Sequence, residues 1–310
     1  MPIHHPDHRD PDSRIPGMDN HEMKAALAYF SAMEERIQRA LTAHLDPDRG
    51  TLEAAVHYAL EVKGKRLRPM IMLTLVEALG GDPQQFMGLA TAMEYIHTYS
   101  LIHDDHPSMD NDDYRRGQPT VHRRFNDAVA LLAGDTLLTM AFEKIASESG
   151  FSAEARIHFI QLITECIGMQ GMAGGQALDL EFSGDPAAIR EIHRLKTGEL
   201  IRGIMVGTGR LMGLDAERIQ ALDRAGKEIG TAFQLADDLL DVLGDEELVG
   251  KKLHKDSANR SPNAALFFGI DSVQQEIDRL FRVTMDELKK VGITFSPFLV
   301  LMHMMVYREH

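Results

Sequence analysis

From about residue 20 onward, apolar residues recur at helical spacing and almost never alternate. Met33, Ile37, Leu41 and Leu45 succeed one another at i, i+4 steps before Pro47 and Gly50, which predicts a helix with one buried stripe and then a stop. Ile160, Ile163 and Ile167 repeat in the same way after Ser152, a residue suited to capping the helix start. The stretch MIMLTLVEAL over 70–79 is apolar nearly all round, so it predicts a helix enclosed on every side by others. Asp82-Pro83 and Asp185-Pro186 each pair an N-cap with a proline at the first helical position, and each predicts a new helix. Period-two alternation bounded by hairpin dipeptides is absent, so no strand is expected. Residues 1–20 are polar and rich in His, Asp and Pro, and read as a mobile tail. No linker-like stretch divides residues 21–310, and one helical domain is expected there.

Composition narrows the partners. Lys and Arg number 33 against 47 Asp and Glu, a formal charge of −14 in 310 residues. That balance disfavours nucleic acid and anionic membrane surfaces as partners. Anionic ligands then require local basic clusters or metal ions. Cys166 is the one cysteine, so no intrachain disulfide can form, which suits a reducing cytoplasm. The start of the chain has no apolar signal core, and no apolar run reaches membrane-spanning length.

Two acidic clusters carry the chemistry. The first lies in LIHDDHPSMDNDDYRR over 101–116, where Asp104 and Asp105 end an apolar helical run and Asp110 comes after Pro107. On an unbroken helix Asp104 and Asp110 would point about 120° apart. Pro107 disfavours helical backbone at His106, so the chain can bend and return the later carboxylate to the earlier ones. The second is Asp237, Asp238 and Asp241 in FQLADDLLDVLGD over 233–245. Asp237 and Asp241 share a helix face at i, i+4, with Gln234 one turn earlier, and their charges repel unless a cation lies between them. Hard oxygen donors without cysteine or paired histidine point to Mg²⁺, a cation that commonly keeps positions for water and substrate phosphate. Either cluster alone would also be compatible with a charged helix end at the surface.

Basic residues supply a second anion site. Lys65, Arg66 and Arg68 precede the enclosed helix, whose first position Pro69 is suited to occupy, so free backbone N–H groups would add to the cations. Arg115 and Arg116 come directly after the first acidic cluster and can pair with it or hold a phosphate. Lys196 falls in step with Ile189 and Ile192, on the apolar face of its helix; it either snorkels outward or meets a buried anion, with Thr197 beside it. Lys251 could close over whatever the second cluster holds. His97 shares a helix face with Asp104, and His103 reads as packing. The glycines of GMAGGQALD over 171–179 read as close backbone packing, while Gln176 and Asp179 could reach a metal's water shell.

Taken in order, GKRLRP (64–69), LIHDDHPSMDNDDYRRGQPTVH (101–122), LLAGD (131–135), GMAGGQALD (171–179), KTGELIR (196–202) and FQLADDLLDVLGD (233–245) resemble the motifs of the trans-isoprenyl diphosphate synthases, most closely the bacterial farnesyl diphosphate synthases. The resemblance spans roughly residues 25–308. It implies an all-α fold, an antiparallel helix bundle of the isoprenoid synthase type around a central cavity, usually as a homodimer. It further implies head-to-tail condensation of isopentenyl diphosphate with short allylic diphosphates such as dimethylallyl and geranyl diphosphate. By matching position, Asp104, Asp110 and Asp237, with Asp105, Asp238 and Asp241 in support, would hold Mg²⁺. Arg115, Lys196, Thr197, Gln234 and Lys251 would contact the allylic diphosphate, and Lys65, Arg68, His97 and Arg116 isopentenyl diphosphate. Tyr99 and Ser100 would set product length, Tyr99 lying about 7.5 Å along the helix before Asp104.

The pattern breaks after Gly250. His254 stands in place of a glycine, Ser261 of a lysine, and Asn263-Ala264-Ala265 of Thr-Tyr-Pro, with Lys255 and Arg260 the nearby cations. His106 replaces a common leucine and Lys63 a common glycine. Geranyl and geranylgeranyl diphosphate synthases remain alternatives, as does a non-catalytic partner subunit, although such subunits often lose aspartates. A terpene cyclase of similar architecture would typically lack the second aspartate set and the GKRLRP cluster.

Overall fold

A computed structural model of the chain describes residues 20–243, 262–294 and 297–307, with residues 20–22 defined by backbone alone. The tail expected over 1–20 falls outside this range except for Asn20, where the first helix begins. Lys251, His254, Lys255, Arg260 and Ser261 also lie outside the described residues.

The apolar periodicity folds as helices. These are α1 (Asn20–Thr42), α2 (Thr51–Glu61), α3 (Leu67–Ala78), α4 (Met87–Asp104), α5 (Val121–Arg124), α6 (Asp127–Ser147) and α7 (Ala153–Ile167). They continue with α8 (Met172–Leu180), α9 (Pro186–His193), α10 (Glu199–Leu211), α11 (Ala216–Leu243), α12 (Ala264–Phe268), α13 (Ile270–Val291) and α14 (Pro297–Val306). The expected caps form. Ser152 Oγ accepts the Ala155 N–H at 3.1 Å, and the Asp185 carboxylate accepts that of Ala187 at 2.9 Å. Asp82 accepts from Gln84 at 2.9 Å and opens a short 3₁₀ turn, Pro83–Phe86, that runs directly into α4.

Helix α3 is buried from Pro69 to Val76, as its all-round apolar sequence requires, and it packs on α1, α4, α10 and α14. Helix α4 is enclosed from Leu89 to Ile96 and packs mainly against α6 and α3. On the other side, α11 lies between α10 and α13. A Cβ added at Gly230 would come within 2.6 Å of the Gly198 Cα, so only glycine allows α11 to approach the end of α9 this closely. One contiguous apolar core runs through both halves. Among the described residues, no helix is long and apolar enough to cross a membrane.

Two local expectations need correction. Arg66 takes a left-handed conformation, φ 43°, and α3 starts at Leu67, so Pro69 is its third residue rather than its first. A short antiparallel ribbon, β1 (Tyr114–Arg115) with β2 (Gln118–Pro119), also interrupts the helices. Its two central residues, Arg116 (φ 52°) and Gly117 (φ 74°), are both left-handed, the requirement of a tight type I′ hairpin. Arg-Gly is not a usual signature for that turn, because an arginine at positive φ is strained.

Candidate active site

The first carboxylate cluster is built by the bend at Pro107. Helix α4 ends at Asp104, and the chain folds back so that the Asp110 N–H donates to the Asp104 carbonyl at 2.9 Å and the Asp112 N–H to the Asp105 carbonyl at 3.1 Å. Asp110 is thus returned beside Asp104, as the position of Pro107 predicts. Burial pushes the Asp104 carboxyl up to about 6; Lys196 and Arg115 oppose the shift, while Asp110 and Asp105 add to it. Asp105 is turned elsewhere. Its carboxylate, 4 % exposed as a residue, receives Arg115 Nε at 2.8 Å and Nη2 at 2.6 Å. Burial works against the Arg115 cation, but the bond and charge of Asp105, joined by Asp104 and Asp110, hold its pKa above the ordinary value.

One residue of each cluster, Asp104 of the first and Asp237 of the second, lines a shared cavity of about 620 Å³. Asp237 and Gln234 line this cavity, together with Asp104, Arg115, Lys196 and Thr197. A π-helical turn over Arg194–Gly198 joins α9 to α10 and carries Lys196 and Thr197 inward. Such turns insert a residue and re-aim the side chains around them. Lys196 does not snorkel to the surface: its Nζ meets the Asp179 carboxylate at 2.5 Å. Burial disfavours its charge, yet Asp179 and Asp104 outweigh that cost and hold the Lys196 pKa above normal. Thr197 Oγ1 donates to Gln234 Oε1 at 2.9 Å. The glycines of α8 make this possible, since a Cβ at Gly175 would collide with the Lys196 backbone. Asp238 and Asp241 are 3 % and 5 % exposed and do not line the cavity.

Lys65, Arg68, His97 and Arg116 line the same cavity, from the α2–α3 loop, α3, α4 and the β1–β2 turn. Burial pulls the Arg68 guanidinium down to about 10; Glu94 and Asp237 oppose that shift and Arg116 adds to it. His97 is held well below its ordinary pKa by burial and by Arg68, Arg116, Arg115 and Arg66. It is therefore a neutral ring within a crowd of cations. Arg68 Nε and Gln176 Oε1 are buried at the cavity without a hydrogen-bond partner. Buried polar atoms of this kind call for a ligand.

Arg66 takes no part in that set as a free cation. Its guanidinium is sealed against Glu94 at 2.9 Å, both side chains 2 % exposed. It also donates to the Val62 carbonyl at 2.9 Å and to Gln38 Oε1 at 2.7 Å, and so clasps the loop that carries Lys65. Glu94 is not among the residues expected from the sequence, although a lone acid in the apolar run TAMEYIH is a legible signal for a buried partner. Tyr99 and Ser100 line the cavity, and Tyr99 stacks edge-on to His103 at 5.7 Å between ring centroids. His103 Nε2 lies 3.2 Å from the Leu131 carbonyl, consistent with a packing role.

The sequence profile of the polyprenyl synthetase family matches residues 49–292. A farnesyl diphosphate synthase of Micrococcus luteus is 40 % identical over 256 residues, covering 82 % of this chain and 88 % of that protein. A farnesyl diphosphate synthase of Geobacillus stearothermophilus is 35 % identical over 289 residues, covering 91 % and 97 %. Among solved structures, a geranyltransferase from Helicobacter pylori, complexed with magnesium and isoprenyl diphosphate, superposes with a TM-score of 0.77 at 30 % identity, covering 91 % of this chain and 95 % of that one. Matching over most of its length in both sequence and helical fold, this chain belongs to the polyprenyl synthetase family.

Proposed function

We propose that the protein is a Mg²⁺-dependent prenyltransferase that condenses isopentenyl diphosphate with dimethylallyl and geranyl diphosphates to give farnesyl diphosphate. The observation that carries this reading is one cavity lined both by the carboxylates Asp104 and Asp237 and by the basic set Lys65, Arg68 and Arg116 with His97. Two diphosphates can then be held at once by different chemistry.

The donor set fits Mg²⁺. Asp104, Asp110 and Asp237 offer hard oxygen donors, and a cation would offset the burial that chiefly raises the Asp104 pKa, together with the smaller push from Asp110 and Asp105. Among the described residues, no three acidic, His or Cys side chains converge tightly enough to hold a metal alone. The two carboxylate clusters would therefore share Mg²⁺ with the phosphate oxygens of the allylic substrate. When bound, Mg²⁺ supplies charge that stabilises a departing diphosphate.

Arg115, Lys196, Thr197 and Gln234 orient the same diphosphate, with Lys251 assigned to it by position. Lys65, Arg68, His97 and Arg116 receive the diphosphate of isopentenyl diphosphate, the neutral His97 ring donating one hydrogen bond. The isopentenyl double bond then lies next to the allylic carbon. As the allylic C–O bond breaks, that double bond attacks the developing cation, a C–C bond forms, and the proton lost passes to the released diphosphate. The cavity walls exclude water, which would otherwise capture the cation as an alcohol.

Isopentenyl diphosphate should bind with Mg²⁺ chelated, whereas an allylic diphosphate should lose its calorimetric signal; equal metal dependence at both would contradict the division of the cavity. Arg68→Gln should raise the KM for isopentenyl diphosphate by about 10- to 100-fold, the worth of a bond to a charged group, with the allylic KM nearly unmoved. Tyr99→Ala should enlarge the cavity beside α4 and lengthen the product, read by mass spectrometry as twenty-carbon diphosphate; an unchanged product would remove Tyr99 from that role. A homodimer is part of the same proposal. It is supported by Leu131 and Leu132 on α6, exposed by 49 % and 51 %, and sedimentation would test it.

A further inference from the structure

Asp238 is buried and does not line the cavity. Its backbone carbonyl accepts Asn263 Nδ2 at 3.1 Å, and its carboxylate accepts the Ala264 N–H at 2.7 Å. The same carboxylate stands 3.4 Å from His193 Nε2 and accepts Gln234 Nε2 at 3.3 Å. His193 Nε2 lies 3.1 Å from the Pro262 carbonyl, so that nitrogen carries the proton. Asn263 is fully buried and its Oδ1 caps α12 by accepting the Leu266 N–H at 3.2 Å. Segment 262–264 is thus fastened to α11 by its own side chain, its backbone and His193 of α9.

We infer that Asn263 and His193 are positioning residues for the second carboxylate cluster: by anchoring Asp238 away from the cavity they hold Asp237 and Gln234 towards it. Adjacent residues on a helix project about 100° apart, so fixing one fixes the other. The anchor also determines which way the Gln234 amide faces. Its nitrogen donates to Asp238, which leaves its oxygen to accept from Thr197. A line of hydrogen bonds consequently joins the 262–264 segment to the turn that carries Lys196. Asn263 occupies a position at which the family pattern has threonine, and its amide serves as donor and acceptor at once. The inference rests on the prenyltransferase reading above, because that reading gives Asp237 a metal to hold.

The test is calorimetric titration of Mg²⁺ in the presence of inorganic diphosphate, with Mg²⁺-free binding of isopentenyl diphosphate to the basic side chains as the control. Asn263→Asp keeps the capping oxygen but removes the donor to Asp238, and His193→Ala removes the donor to Pro262. Each is expected to weaken Mg²⁺ binding by about 10-fold, as loss of a group supporting a metal ligand does. The control affinity should stay unchanged, and His193→Gln, which keeps an N–H donor, should recover most of the loss. Should the His193→Ala cavity prevent folding, Asn263→Ser, which retains a capping oxygen, reads out the same effect. Unchanged Mg²⁺ affinity in the folded variants would overturn the inference, as would an equal loss of affinity for isopentenyl diphosphate. Absence of Mg²⁺-dependent diphosphate binding in the unsubstituted protein would instead overturn the functional reading, and this inference with it.

Discussion

Asp104→Asn is expected to lower the rate of condensation by roughly 10²–10³-fold, the usual cost of removing one group that stabilises charge in the transition state. The substitution keeps the shape of the α4 terminus and the Asp110 N–H bond to the residue-104 carbonyl, so the bend at Pro107 should survive. What disappears is the Asp104 carboxylate, which shares the cavity with Asp237, and with it a means of concentrating positive charge on the departing diphosphate. Isopentenyl diphosphate should still bind, because the side chains that would hold it, Lys65, Arg68, His97 and Arg116, are untouched by the change. A variant that retained wild-type turnover at the same Mg²⁺ concentration would remove Asp104 from the metal site.

Arg66→Met is the substitution expected to cost most in stability, about 3–5 kcal/mol, since it strands a buried carboxylate without its partner. Arg66 and Glu94 are both almost fully enclosed, and Glu94 Oε2 has no hydrogen-bond partner of its own, so removing Arg66 leaves the buried carboxylate without its cation. Chemical denaturation should show the loss directly. The double change Arg66→Met with Glu94→Leu should recover a large part of it, because a well-packed apolar pair of similar volume often replaces a buried ion pair without loss. Its KM for isopentenyl diphosphate should nonetheless remain raised, as the loop bearing Lys65 has lost its clasp. A single variant as stable as the parent would show that the pair is solvated in solution.

How much of this was legible in the sequence depends on the range of the interaction. Caps at Ser152, Asp82 and Asp185 were legible because a side chain bonds a backbone N–H two or three residues away. The inward face of Lys196 could be read from its phase with Ile189 and Ile192, and the return of Asp110 from Pro107. The division of labour between adjacent like residues was not legible. Asp104 and Asp105, or Asp237 and Asp238, are chemically alike, and which one lines the cavity is decided by distant partners. Arg66 and Arg68 both line it, and a distant partner decides which is tied up in an ion pair. Arg115 selects Asp105, Ala264 and His193 select Asp238, and Glu94 withdraws Arg66. The β1–β2 hairpin was invisible for a related reason: the left-handed backbone at Arg116 is imposed by the surroundings against the preference of the residue.

One cavity that brings two diphosphates together for C–C bond formation is the centre of this functional reading. Its most direct test is to incubate the purified protein with Mg²⁺, isopentenyl diphosphate and, in parallel, five-, ten- and fifteen-carbon allylic diphosphates, and to identify the products by mass. A dominant fifteen-carbon diphosphate from the five- and ten-carbon starters, abolished by chelation, is the predicted result. No condensation with any starter would contradict the reading.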